Sequence, residues 1–145
     1  MFTQLTIGSV LTLTSFLIAT LSWWALETIL GRLHKWSSRP PHGPKLMAVL
    51  TLSLIWTLFM MTAAVWLWAI ALYALEVFVE FEASVYFALV AFTTLGFGDI
   101  LLPQEWRLLG GMAAANGLLM FGLLTAILVE TLRETRLRQR GQGTR

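Results

Sequence analysis

The chain has no cysteine, two histidines, two tyrosines, and charged side chains at only 12% of its 145 positions. Without cysteine there is no disulfide framework, no thiolate metal site and no cysteine nucleophile. The histidines, His34 and His42, stand in a basic stretch without carboxylate companions or metal-ligand spacing. A pH-sensing role is open to them, but solvated linker histidines are the simpler reading. No catalytic constellation can be assembled, and nothing calls for a cofactor. The shortage of charge, about half the usual 25%, accompanies 57% apolar residues and a mean hydropathy of +0.74. A domain this small leaves roughly a third of its unfolded surface exposed after folding. Water cannot be the only solvent for such a surface. Soluble enzymes, disordered tails and nucleic-acid-binding domains are therefore excluded, despite a net charge of +2 and a pI near 9.5. Membrane lipid is the implied partner.

Charge is absent in three blocks: residues 1–26, 46–75 and 108–129. Each reaches the roughly 20 residues that a helix needs to cross about 30 Å of hydrocarbon. The first is diluted by hydroxyls at Thr3, Thr6, Ser9, Thr12, Thr14, Ser15, Thr20 and Ser22. A cleaved signal peptide would need a basic start, and Met1-Phe2-Thr3-Gln4-Leu5-Thr6 has none. It is read as a retained helix.

Between the first two blocks, residues 32–45 carry three prolines and four Lys/Arg and describe a polar linker. Beyond residue 132 the chain becomes basic, continuing as a helix into water. Nine of the ten Lys/Arg residues lie in these two segments, leaving only Arg107 elsewhere. The positive-inside bias predicts both segments to be cytoplasmic and the N-terminus external. Glu76, Glu80, Glu82, Asp99 and Glu105 then fall on the outer side, and Trp66, Trp68 and Trp106 read as headgroup anchors near it.

Residues 84–93 form an apolar run of only ten, about 15 Å as a helix and too short to cross. Thr94-Leu95-Gly96-Phe97-Gly98-Asp99 follows, and its alternating glycines disfavour continued helix. A half-length helix leading into extended backbone between two full crossings reads as a re-entrant loop. Irregular backbone at membrane depth is tolerated only where it lines a watery cavity or is buried in protein. Alternate glycines let successive carbonyl oxygens face one side, and such oxygens can replace the water shell of a cation. One chain supplies one strand, so a ring of carbonyls requires a cyclic homo-oligomer.

Thr93-Thr94-Leu95-Gly96-Phe97-Gly98-Asp99 resembles the potassium-channel signature Thr-Thr-Val-Gly-Tyr-Gly-Asp, with Leu for Val and Phe for Tyr. Residues 117–126 resemble the inner helix of bacterial two-transmembrane potassium channels. The resemblance covers roughly residues 46–133. It implies an all-α membrane protein, a homotetramer whose subunits each have three transmembrane helices, a re-entrant pore helix and a selectivity filter. The corresponding segments are an additional N-terminal helix (1–31), a basic linker (32–45), a pore domain (46–132) and a basic tail (133–145). Within the pore domain lie an outer helix (46–75), pore helix (84–93), filter (94–99) and inner helix (107–132).

By the same resemblance, Thr94, Leu95, Gly96, Phe97 and Gly98 coordinate potassium, the permeant ligand, with Thr93 and Asp99 supporting them. Tyr86 and Phe87 match the aromatic cuff behind the filter. Gly117 matches a gating hinge, and Leu118, Phe121, Thr125 and Val129 match the cavity and inner mouth. Their spacing of 3, 4 and 4 is one helical stripe, which ordinary helix packing would also produce. Small residues let membrane helices approach closely, so Gly110 and Gly111 read as packing positions, and Gly117 serves either as hinge or as packing.

Two departures stand out. Val90 occupies a position where some relatives carry a glutamate bonded to the aspartate after the filter, so Asp99 lacks that partner. Asn116 is a polar residue inside a membrane helix, expected to brace the pore helix or a neighbouring subunit. The first helix lies outside the resemblance, as a lipid-facing brace. No crossing bears arginines at every third position, and the tail is too short for a regulatory domain. The expected function is passive, potassium-selective conduction across a bacterial inner (plasma) membrane. Leu95 and Phe97 leave a non-selective monovalent cation channel as the alternative; a potassium-uptake transporter subunit or a non-conducting adaptor fits less well.

Overall fold

The computed structural model describes residues 1–32 and 42–142. Most of the basic linker, His34, the side chain of His42 and residues 143–145 lie outside the described residues. Among the described residues the structure is helical: α1 (Phe2–Arg32), α2 (His42–Ala74), α3 (Phe81–Phe92), a 3-10 turn (Gln104–Trp106) and α4 (Arg107–Gln142). Three stretches are long and apolar enough to cross a membrane, Phe2–Thr28, Met47–Ala74 and Gln104–Glu134. With its 12 residues, α3 is short of a crossing. The all-α membrane architecture read from the three charge-free blocks is the one observed.

The hydroxyls that dilute α1 do not interrupt it. Thr6, Thr14, Ser15 and Thr28 each donate to the carbonyl four residues back, at 3.1, 2.8, 2.8 and 2.8 Å. In lipid every polar group must find a partner inside the protein. A hydroxyl that turns back onto its own helix meets that demand without a second element.

The chain divides into two compact units, Met1–Ile18 with Met61–Gly122, and Ala19–Met60 with Leu123–Arg145. The first holds α3 and the residues after it. Its core is Trp68, Ala69, Leu72, Ala88, Phe92 and Ala113, none more than 2% exposed. Trp68 is thus a core side chain and not a headgroup anchor. Its indole meets the Phe92 ring nearly edge-on, centroids 6.3 Å apart. The helix runs six residues past Trp68, about 9 Å at 1.5 Å per residue, which carries the indole away from the helix end. In the second unit Ala19, Leu26, Val49, Met60 and Leu124 are buried. Ser53 there repeats the device of α1, bonding the Val49 carbonyl at 2.9 Å.

Two helix ends in the first unit share one geometry. After α2, Glu76 donates to the Tyr73 carbonyl (3.0 Å) and Val77 to that of Leu72 (3.1 Å), with Glu76 at φ +55°. After α3, Thr94 donates to Ala91 (3.0 Å) and Leu95 to Val90 (3.1 Å), with Thr94 at φ +56°. These are paired Schellman closures, which consume the orphan carbonyls of a helix C-terminus and place one residue in the left-handed region. Glycine is the usual occupant; here glutamate and threonine fill the position.

Candidate functional site

The candidate filter begins inside the second of these closures. Thr94 is at once the left-handed cap of α3 and the first residue of the extended segment. Positive φ then recurs at every second residue: Thr94 +56°, Gly96 +58° and Gly98 +76°. For the glycines this costs little, since no Cβ opposes it. For β-branched Thr94 it is an outlier held by its surroundings. Thr93 to Asp99 are all exposed in the single chain, and nothing lies within 4 Å of a Cβ built on Gly96 or Gly98. A Cβ added at Gly96 would therefore act through its φ, since within the chain there is nothing for it to strike.

The support behind the segment differs from the expected one. The Tyr86 hydroxyl donates to Asp99 Oδ2 at 2.5 Å, so Asp99 has a partner although Val90 cannot provide one. That hydrogen bond is the main reason the Asp99 carboxyl sits below its ordinary range; its own backbone N–H and that of Ile100 add to it, and partial desolvation opposes. Phe87 packs on Phe78 with centroids 5.5 Å apart and lies beside Gly110. Thr93 bonds back to the Leu89 carbonyl at 2.9 Å. Thr94 is thus tied to α3 by its main chain, and Thr93 by both its N–H and its hydroxyl, which share the Leu89 carbonyl.

On α4, the stripe Leu118, Phe121, Thr125 and Val129 lies on the exposed side of the single chain. Its neighbours Ala113, Asn116, Gly117, Met120 and Leu124 are buried on the opposite side. Gly117 is packed: a Cβ there would run into the carbonyl oxygen, Cα and carbonyl carbon of Phe92. Gly110 is packed too, under Leu102 and Phe87, whereas Gly111 has no atom of its own chain within 4 Å of a Cβ.

Asn116 makes an interhelical hydrogen bond, as its polarity demanded, and within the chain it goes to α1 and not to the pore helix. Its Nδ2 donates to Ser15 Oγ of α1 at 3.1 Å. The bond from α1 was not legible in the sequence, because Ser15 is one hydroxyl among eight. Trp68 behind Phe92 was missed for a related reason, since a tryptophan near a span end also fits an interfacial anchor.

Neither the curated proteins nor the solved structures contain a match to this chain. A family model described as an ion channel does match, over residues 46–134, more than half the chain and the stretch that holds α3, the segment after it and α4 up to the basic tail. This chain belongs to the family of two-transmembrane pore-loop ion channels.

Proposed function

We propose that this protein is a homotetrameric, potassium-selective channel with Thr94 to Gly98 as its filter. The observation that carries the reading is the positive φ at Thr94, Gly96 and Gly98. Backbone that alternates between left- and right-handed regions can turn successive carbonyl oxygens the same way, where an ordinary strand alternates them. Four such strands around an axis give stacked rings of neutral oxygen ligands suited to a weakly hydrated cation. The exposure of the same segment in one chain, and of the Leu118–Val129 stripe, is what a fourfold partner would cover. Thr94 contributes a hydroxyl at the inner end of the filter, and Phe121 and Thr125 line the cavity below it.

The basic segments face the cytoplasm of a bacterial cell and Asp99 faces outward. Reporter fusions after Lys45 and after Arg145 test this orientation; signals from opposite sides of the membrane would refute it. Selectivity is tested by potassium and sodium flux from purified protein in liposomes. Potassium flux well above sodium flux supports the proposal, and equal fluxes assign the protein to the non-selective cation channels.

A further inference from the structure

The pore-loop reading accounts for α2 to α4 and leaves α1 without a task. Three contacts within the first unit supply one. Gln4 grips the start of α4: its amide nitrogen donates to the Glu105 carbonyl, and its amide oxygen accepts the Leu109 N–H at 3.2 Å. A helix start leaves such N–H groups without partners of their own. Gly8, one turn along α1, makes room for Met112 and Leu109, whose side chains crowd the place of a Cβ. Further along, Asn116 Nδ2 meets Ser15 Oγ at 3.1 Å, with both residues at most 2% exposed.

The last contact sits next to the filter's support. Gly117 follows Asn116 directly and lies on the backbone of Phe92, the final residue of α3. Thr93 and Thr94 come next. With no side chain between the two backbones, a turn of α4 at Asn116 reaches Phe92 without a rotamer change to absorb it.

Asn116 is also incompletely satisfied. Ser15 spends its own proton on the Leu11 carbonyl, at 2.8 Å, and so offers Asn116 an acceptor only. Asn116 Oδ1 is buried with no hydrogen-bond partner. The amide is therefore held by one bond, and that bond comes from α1. Without the Ser15 hydroxyl both ends of a buried amide would lack partners. Leaving a buried polar group unpaired is more unfavourable than removing both partners together. The helix could relieve this by turning Asn116, and Gly117 would turn with it.

We propose that α1 is a filter-positioning element, in which the Ser15–Asn116 hydrogen bond sets the rotation of α4 at Gly117 and, through Phe92, the placement of Thr94. This rests on the reading of Thr94 to Gly98 as the filter and assigns new positioning residues to it.

The test uses the full chain in liposomes. Ser15→Ala is expected to lower the potassium-over-sodium flux ratio about threefold, the worth of an average interhelical hydrogen bond in a membrane. The double variant Ser15→Ala with Asn116→Leu should return towards the wild-type ratio, since it removes the unpaired amide. A ratio unchanged in Ser15→Ala, or a double variant no better than the single one, overturns the proposal. Docking is read separately, because the natural chain has no cysteine. Ser15→Cys combined with Asn116→Cys should crosslink within one subunit on oxidation; a link between subunits, or none, also overturns it. Should the wild type prove unselective, the filter reading fails alone: the crosslink still reports docking, and the flux series is then read on total cation flux with the same expected order.

Discussion

The Tyr86 hydroxyl and Asp99 Oδ2 lie 2.5 Å apart, a bond that closes 13 residues of chain around the candidate filter. Tyr86 is near the middle of α3 and Asp99 is the residue after Gly98, so one hydrogen bond ties the far end of the candidate filter to the helix that precedes it. A carboxylate whose value is lowered by a native hydrogen bond contributes its stabilisation above the ordinary range, near 3.9, and loses it as pH falls through the lowered value. Potassium flux should therefore be flat between about pH 8 and pH 5 on the Asp99 side, with its acid limb below the usual carboxylate range. In Tyr86→Phe the acid limb should move up towards that range, and in Asp99→Asn it should disappear. Liposome flux against external pH in the three proteins checks this; coincident acid limbs in wild type and Tyr86→Phe would show that the bond does not govern Asp99.

Gly96→Ala should abolish potassium selectivity while leaving the subunit folded. The cost is conformational, about 1–2 kcal/mol per residue for a side chain held in the left-handed region, and falls on the backbone that carries the oxygens. A flux ratio equal to wild type would remove Gly96 from the filter.

Gly117→Ala is expected to fail differently. Its methyl group meets main chain at Phe92, and overpacking of this kind costs about 1–3 kcal/mol. The thermal midpoint in detergent should fall, and flux with it. Gly111→Ala, which meets nothing in its own chain, should leave the midpoint of the separated subunit unchanged; a loss confined to the assembled channel would mark Gly111 as a contact between copies.

Phe97 lacks the hydroxyl that its relatives' tyrosine carries at this position. Phe97→Tyr should stiffen the filter by about 0.5–1.5 kcal/mol per subunit if the new hydroxyl finds an acceptor. Tyr86 already donates to Asp99, but its oxygen keeps lone pairs and can still accept. If the proposed filter is held in place by bound ions, open probability in Phe97→Tyr is expected to depend less steeply on external potassium than in wild type. Identical potassium dependence would show that the missing hydroxyl is immaterial.

The helices were legible because lipid leaves a coarse record in sequence: a charge-free run of sufficient length has few alternatives. The candidate filter was legible through the full heptapeptide Thr93 to Asp99, set behind a short apolar run and between two charge-free blocks; glycines two apart would have said little by themselves. What could not be read was pairing. Ser15 differs from the other hydroxyls of α1 only in facing Asn116, and Tyr86 differs from any cuff aromatic only in reaching Asp99 across the loop. The deep placement of Trp68 was hidden likewise, since the end of α2 is set by a glutamate in a left-handed cap, a position where glycine would have announced the turn.

The two Schellman closures differ in what rides on them. At Glu76 the left-handed residue serves the turn alone, so Glu76→Gly should simply relieve strain. At Thr94 the same conformation is imposed on the residue whose hydroxyl and carbonyl the proposed filter would use. Glycine there would make the end of α3 more comfortable and the ion site poorer. Foldability and conduction thus pull on Thr94 in opposite directions, and a selection for thermostable subunits alone would be expected to drift towards channels that assemble well and conduct badly.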